Sequence, residues 1–177
     1  MNILAVILPL GIVIFLSRIM KQKIINITDQ LPKGSKPYPK RNLSQIVRFV
    51  VHHSATTTGT PQEYAKYHVE GHGWPGIGYH FVLQKDGTIF QTNALETISY
   101  GVENYNTGSV NICLTGNFET ETLQAPQKDA LVWLLRELGS QLGAKPILPH
   151  SAFKPTKCPG AHINTEEISQ LVYGPLA

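Results

Sequence analysis

Val47-Arg48-Phe49-Val50-Val51-His52-His53-Ser54-Ala55-Thr56 is the stretch from which the rest of the chain can be read. Val47, Phe49, Val50 and Val51 form a β-branched and aromatic run suited to a buried strand, which ends in two adjacent histidines and a small polar turn. Side chains alternate across a strand, so only one of His52 and His53 faces a given site. A histidine at the mouth of a core strand is placed to be a ligand. The second half of the pattern lies far downstream in Pro149-His150-Ser151-Ala152-Phe153-Lys154-Pro155-Thr156-Lys157-Cys158-Pro159-Gly160. There His150 and Cys158 stand eight residues apart in a proline-broken loop.

A chain of 177 residues fits one domain plus an N-terminal extension and is long enough to bury a sizeable core. Its formal charge of +3 is spread along the sequence without a basic stripe, which argues against nucleic acid as a partner. Residues Ile3 to Leu16 are uncharged and apolar apart from the interruptions at Pro9 and Gly11, and Arg18, Lys21 and Lys23 follow. A helix over this run would span roughly 21 Å, against a hydrocarbon core of roughly 30 Å. With residues 1–20 included and Arg18 snorkelling outward, a single membrane anchor is feasible. A removed signal peptide and a buried helix are the alternatives, although no positive leader and no small-x-small cleavage site precede Lys21. The basic residues following the run would keep the next domain cytoplasmic under the positive-inside rule.

Residues 21–43 are rich in Lys, Pro, Gly, Ser and Asn, with Pro32, Pro37 and Pro39 close together. They read as a solvated linker, or as an arm lying on the domain. The domain itself is expected over residues 44–173. Thr60 as N-cap, Pro61 at the first helical position and Glu63 as its capping-box partner start a helix that should run to Glu70. A glycine-rich loop from Gly71 to Gly78 follows; it precedes a strand and lacks a P-loop's lysine and hydroxyl, so it is no phosphate cradle. His80–Lys85 and Thr88–Gln91 flank Asp86-Gly87 as a hairpin. Val110–Thr115 and Ile147-Leu148 read as strands. Residues Pro126–Leu142 carry Ala130, Leu131, Leu134, Leu135, Leu138 and Leu142 at helical spacing, and a last helix should run from Asn164 or Thr165 to Val172. Strands alternating with helices give an α/β fold with a mixed central sheet flanked by helices.

Two imidazoles and a thiolate suit Zn²⁺, and three protein ligands leave a fourth position open, as catalytic zinc sites require. The spacing alone also allows a Cys113–Cys158 disulfide with the histidines as ordinary polar groups, although Cys113 sits in the apolar run Val110–Leu114 as a buried hydrophobe would.

Four motifs in register carry a resemblance: VVHHSAT, GWPGIGYHFVLQKDGTIFQ, YNTGSVNICLTGNF and PHSAFKPTKCPG. Between Val47 and Asn164 the chain resembles the zinc-dependent N-acetylmuramoyl-L-alanine amidases, the superfamily of phage lysozyme-type endolysins and peptidoglycan-recognition proteins. The resemblance implies that His52, His150 and Cys158 hold zinc and that Tyr79 donates its hydroxyl at the scissile carbonyl or attacking water. It implies hydrolysis of the amide between N-acetylmuramic acid and L-alanine, with peptidoglycan as partner. Where phage enzymes carry a catalytic lysine two residues before the cysteine, this chain has Thr156, as the family's cell-wall amidases often do. Where the phage enzyme has a histidine before the YN pair, this chain has Gly101. His68 and Trp74 are candidates for the substrate groove, while a helix-surface role for His68 and a loop-anchoring role for Trp74 stand beside that reading. His53 and His80 are expected to be structural, His72 and His162 solvated, and Trp133 part of the core. A cell-envelope location, anchored or exported, and a monomeric state complete the expectations. The alternative function is a peptidoglycan-binding module without hydrolysis.

Overall fold

The computed structural model describes residues 22–174. The apolar segment 1–20, with its anchor or signal role, lies outside them. Among the described residues no helix is long and apolar enough to cross a membrane. The fold is the expected mixed sheet flanked by helices. Its strands are β1 (Ile24–Asn26), β2 (Arg48–His53), β3 (Phe81–Leu83), β4 (Ile89–Gln91), β5 (Ser109–Leu114) and β6 (Ile147–Pro149), in the order β1-β4-β3-β5-β2-β6. Only β3 and β4 pair antiparallel; every other neighbour pair is parallel.

Among the described residues three α-helices complete the architecture: α1 (Pro61–His72), α2 (Ala125–Leu142) and α3 (Thr165–Tyr173). α1 starts as its sequence dictates, with Thr60 Oγ1 accepting from the Glu63 amide and Glu63 Oε2 accepting from the Thr60 amide. Ala130, Leu131, Leu134, Leu135 and Leu138 of α2 are buried, and α2 packs with α3 against the face of the sheet that carries Phe49, Val51, Leu83 and Ile112. Each such leucine contributes roughly 1.5–3 kcal/mol by leaving water. The opposite face carries Val82 and Cys113 and is covered by Ala65 of α1 with Ile27, Leu31 and Ile77. Parallel strands need both faces covered, and both are.

Two local outcomes differ from the sequence reading. At Asp86-Gly87 only Gly87 has positive φ, at +89°, and the Gly87 amide donates to the Gln84 carbonyl. The connection is therefore a longer loop with glycine in the left-handed position, and Asp86 serves by accepting from the Thr88 amide. The larger difference concerns residues 22–43, where of the two readings the arm on the domain holds and the solvated linker does not. Ile24–Asn26 pairs parallel with Ile89–Gln91 at the sheet edge, and Ile27 and Leu31 are buried. Its few isoleucines and leucine outweigh the lysines and prolines because the uncovered sheet face gives them somewhere to go.

At the end of the arm, Arg41 is only 5% exposed, and among the described residues it forms no ion pair, Glu96 acting on it only at longer range. Its guanidinium donates instead to the carbonyls of Leu95, Asn106, Thr107 and Ser109 at 2.7–3.1 Å. Burial lowers its pKa to about 10, so it stays charged at neutral pH, and four carbonyl dipoles offset the lost hydration. One side chain thus ties the arm to both ends of the segment between β4 and β5. Arg41→Met is expected to lower the unfolding free energy in urea by about 2–4 kcal/mol, since it strips charge-assisted hydrogen bonds and orphans buried carbonyls. A loss under about 1 kcal/mol would mean that the arm is not held this way.

Candidate metal centre

β2 is flanked by β5 and β6, and the three parallel strands end on the same edge of the sheet. His52 pairs with Cys113 of β5, Val51 with Pro149 of β6, and His150 follows in a short 3₁₀ turn. Alternation sends Val50 and His52 to the α1 face and Val51 and His53 to the other, so the two histidines separate as their adjacency requires. His53 turns toward Phe118, stacks on its ring and accepts from its amide.

Cys158 is brought back to β2 by the loop after His150. The His53 amide donates to Cys158 Sγ at 3.4 Å, the Ser151 amide to the Cys158 carbonyl, and the Cys158 amide to Thr156 Oγ1 at 3.2 Å. Gly160 closes the loop at φ +106°, where an added Cβ would stand 2.4 Å from the Phe118 carbonyl carbon. No other residue fits there.

One ligand atom each from His52, His150 and Cys158 falls within a 4.8 Å cluster. His52 Nδ1 lies 3.7 Å from Cys158 Sγ. Zinc bonds of about 2.05 Å to nitrogen and 2.3 Å to sulfur, at a tetrahedral angle, put the two donors about 3.6 Å apart. The donors fit one such ion. His150 Nε2 is buried without a hydrogen-bond partner, an orphan atom of the kind a metal satisfies. His52 Nε2 is already engaged with Asn111 Oδ1 at 3.0 Å, which leaves Nδ1 as its free donor. Both cysteines are free, so the disulfide reading is set aside.

Electrostatics favour the same use. Burial, then the neighbouring His150, holds the His52 pKa down at about 3; burial, then Lys154, holds His150 at about 4. Both imidazoles are therefore neutral at physiological pH, as ligands must be. Burial pushes the Cys158 thiol up to about 11, so its thiolate needs a cation beside it. Tyr79 places its ring 5.3 Å from that of His52, and burial, followed by the Cys113 and Cys158 thiols, raises its pKa well above 10. It is a neutral phenol and a donor.

The cluster opens into a cleft of about 420 Å³ lined by Tyr79, Trp74, Tyr100, Gly101, Thr156 and Lys157 among others. Lys157 reaches away to Glu119 at 3.5 Å. Beside the cleft lies a second hollow of about 470 Å³, bounded by Tyr79, His68, Tyr64, Tyr67 and Glu63. His68 is buried, not on the helix surface, and accepts from the Gly78 amide. Trp74 stacks on His68 and His72 at 4.8 and 4.9 Å, so it anchors the glycine-rich loop while one edge reaches the cleft. Expected structural roles hold for His80, fully buried, and for Trp133, partly buried against the core. His72 and His162 are exposed. The sequence reading missed Asn111; a lone amide within Val110–Leu114 was its signal.

The profile of the N-acetylmuramoyl-L-alanine amidase family, Amidase_2, matches residues 42–161. The chain belongs to this family. Relatives of this amidase-family chain include an endolysin of Enterobacteria phage K11, 31% identical over 120 residues and covering 63% of this chain and 79% of the endolysin. Peptidoglycan-recognition protein SC2 of Drosophila melanogaster is 27% identical over 145 residues, 75% of this chain and 79% of its own. Among solved structures, the N-acetylmuramoyl-L-alanine amidase LysC from Clostridium intestinale superposes with a TM-score of 0.74 at 28% identity, covering 82% of this chain and 94% of LysC.

Buried neutral histidines make the metal-free amidase domain acid-sensitive. His52 and His80 both titrate near 3 when folded and at 6.5 when unfolded, His80 through burial and then the Arg41 charge. The unfolded state therefore binds more protons below pH 6.5, and folding weakens as pH falls from there toward about 3. Each of the two should remove up to about 1.4 kcal/mol per pH unit within that window. Urea melts of the zinc-free protein at pH 7.5 and 5.5 check this, and equal stabilities would contradict it.

Proposed function

We propose that this chain is a zinc-dependent peptidoglycan hydrolase that cleaves the amide between N-acetylmuramic acid and the L-alanine of the stem peptide. The convergence of His52, His150 and Cys158 within 4.8 Å at the floor of an open cleft is the observation that carries the reading. Residues 44–173 would form the catalytic domain. The apolar run at 3–16 supports a place at the cell envelope, anchored or exported.

In this reading His52 Nδ1, a ring nitrogen of His150 and Cys158 Sγ hold the ion. An ion there would supply Lewis acidity to the scissile carbonyl and acidify the attacking water. The remaining tasks belong to the chain. Tyr79, kept protonated by burial, donates to the carbonyl oxygen as negative charge develops on it, a form of stabilisation that works best where water is excluded. Thr156 holds the cysteine loop by accepting the Cys158 amide, and its own hydroxyl proton remains available to a substrate atom in the cleft. His68 and Trp74 form the wall that continues from Tyr79, where the stem peptide and sugar would lie.

Cys158→Ala is expected to abolish zinc retention and dye release from labelled sacculi, while Cys113→Ala spares both. An active Cys158→Ala protein would sink the proposal. Tyr79→Phe should keep one equivalent of zinc and lower turnover by about 10²–10³-fold, the usual cost of one lost oxyanion donor. Loss of metal in that variant would give Tyr79 a different role. If the protein were a binding module only, the unmodified chain would bind sacculi and release no dye.

A further inference from the structure

Behind His52 lies a chain of buried polar side chains that the reaction does not touch. Its polarity can be worked out from one fixed point, the main-chain amide of Asn111. That N–H donates to His80 Nδ1 at 3.0 Å, so Nδ1 carries a lone pair and the proton of the neutral ring sits on Nε2, where it faces the Thr97 carbonyl at 2.9 Å; Arg41 Nη2, also 2.9 Å from Nε2 and able only to donate, then acts on the ring by its charge and makes no hydrogen bond to it. Ser99 Oγ is 3.1 Å from the same Nδ1, and with no proton there the Ser99 hydroxyl is the donor of that contact, sharing the one lone pair with the Asn111 amide. Its single proton is then spent, and toward Asn111 the Ser99 oxygen can only accept. Asn111 therefore presents Nδ2 to Ser99 at 2.9 Å, which turns Oδ1 toward His52 Nε2 at 3.0 Å. A carbonyl oxygen facing Nε2 requires the proton there and leaves the lone pair on Nδ1, on the Cys158 side.

We propose that His80, Ser99 and Asn111 form a positioning relay that fixes the tautomer and ring orientation of His52 for metal binding, with Asn111 as its final residue. This rests on the zinc reading of the site. His80, Ser99 and Asn111 are each fully buried, so water cannot substitute for a missing partner at low cost. Gly101 is part of the device. A Cβ at position 101 would stand 2.4 Å from Asn111 Cγ and 2.7 Å from Oδ1, so the Asn111 amide occupies the space that any side chain at 101 would need. The departure at Gly101 thus has a reason within this chain: it makes room for the group that orients His52. A merely structural polar cluster would not require an acceptor at this one atom.

The test measures two quantities that folding alone does not move: the His52 tautomer of the zinc-free protein, by long-range ¹H–¹⁵N correlation, and zinc affinity, by chelator competition. Wild type should show the proton on Nε2. Asn111→Ala should lose that preference and bind zinc about 10–100-fold more weakly, the usual cost of losing a partner behind a metal ligand. Asn111→Asp keeps an acceptor and should retain affinity close to wild type. Gly101→Ala, which leaves Asn111 in place but displaces its amide, should resemble Asn111→Ala. Should Asn111→Ala fail to fold, Ser99→Ala decides, because it frees the Asn111 amide to turn over without removing it. Unchanged tautomer and affinity in Ser99→Ala or Gly101→Ala would overturn the relay, as would a large loss in Asn111→Asp. A wild-type protein that takes up no zinc would instead refute the metal reading, and the tautomer measurement would still judge the relay.

Discussion

The parallel pairing of β2 between β5 and β6 is the constraint on which the site depends. Strands joined by backbone hydrogen bonds sit about 4.8 Å apart, so the register that aligns His52 with Cys113 and Val51 with Pro149 leaves the following side chains no freedom to separate. Parallel strands also end on one edge, and α/β sheets bind ligands in the crevice beyond the carboxyl ends of their strands. His52, the residues after Leu114, and His150 all meet there. Cys158 joins them because the His53 amide and the Ser151 amide hold its loop against β2 and the 3₁₀ turn after β6.

Burial then sets the chemistry of each group without any change of residue type. Desolvation disfavours charge, so the same environment keeps His52 and His150 neutral, keeps the Tyr79 phenol protonated and raises the Cys158 thiol. The first three effects suit ligands and a donor as they stand. The fourth creates a demand for positive charge at the point where two imidazole lone pairs already converge.

The arm at residues 22–43 does more than cover a sheet face. Arg41 carries a full charge into the interior, where the carbonyls of Leu95, Asn106, Thr107 and Ser109 surround it and His80 Nε2 lies 2.9 Å away. Proximity to that cation is one reason His80 stays neutral. A neutral ring can leave Nδ1 unprotonated, and the Asn111 amide selects that form. The segment that begins as an edge strand therefore ends against His80, the buried residue from which the polar chain toward His52 starts.

Much of this was legible along the chain. The alternation of Phe49, Val51 and His53 against Val50 and His52, the capping box at Thr60 and Glu63, and the leucine spacing of α2 are local patterns, and local patterns follow from backbone geometry alone. The motifs around His52, Tyr79 and Cys158 identified the family and put forward His52, His150 and Cys158, which the fold brings together. The β1 arm was legible only as an alternative to a solvated linker, because Ile24, Ile25, Ile27 and Leu31 are sparse among lysines and prolines and acquire meaning only against an open sheet face. Asn111 was hidden for the same reason: within Val110–Leu114 it reads as an exception, and its function depends on Ser99, Gly101 and His80, which approach it only across the sheet. Residue type and periodicity thus determined the elements and the kind of chemistry. Which atom of each side chain is left free was decided by tertiary contacts, because a proton's position depends on partners that no local pattern names.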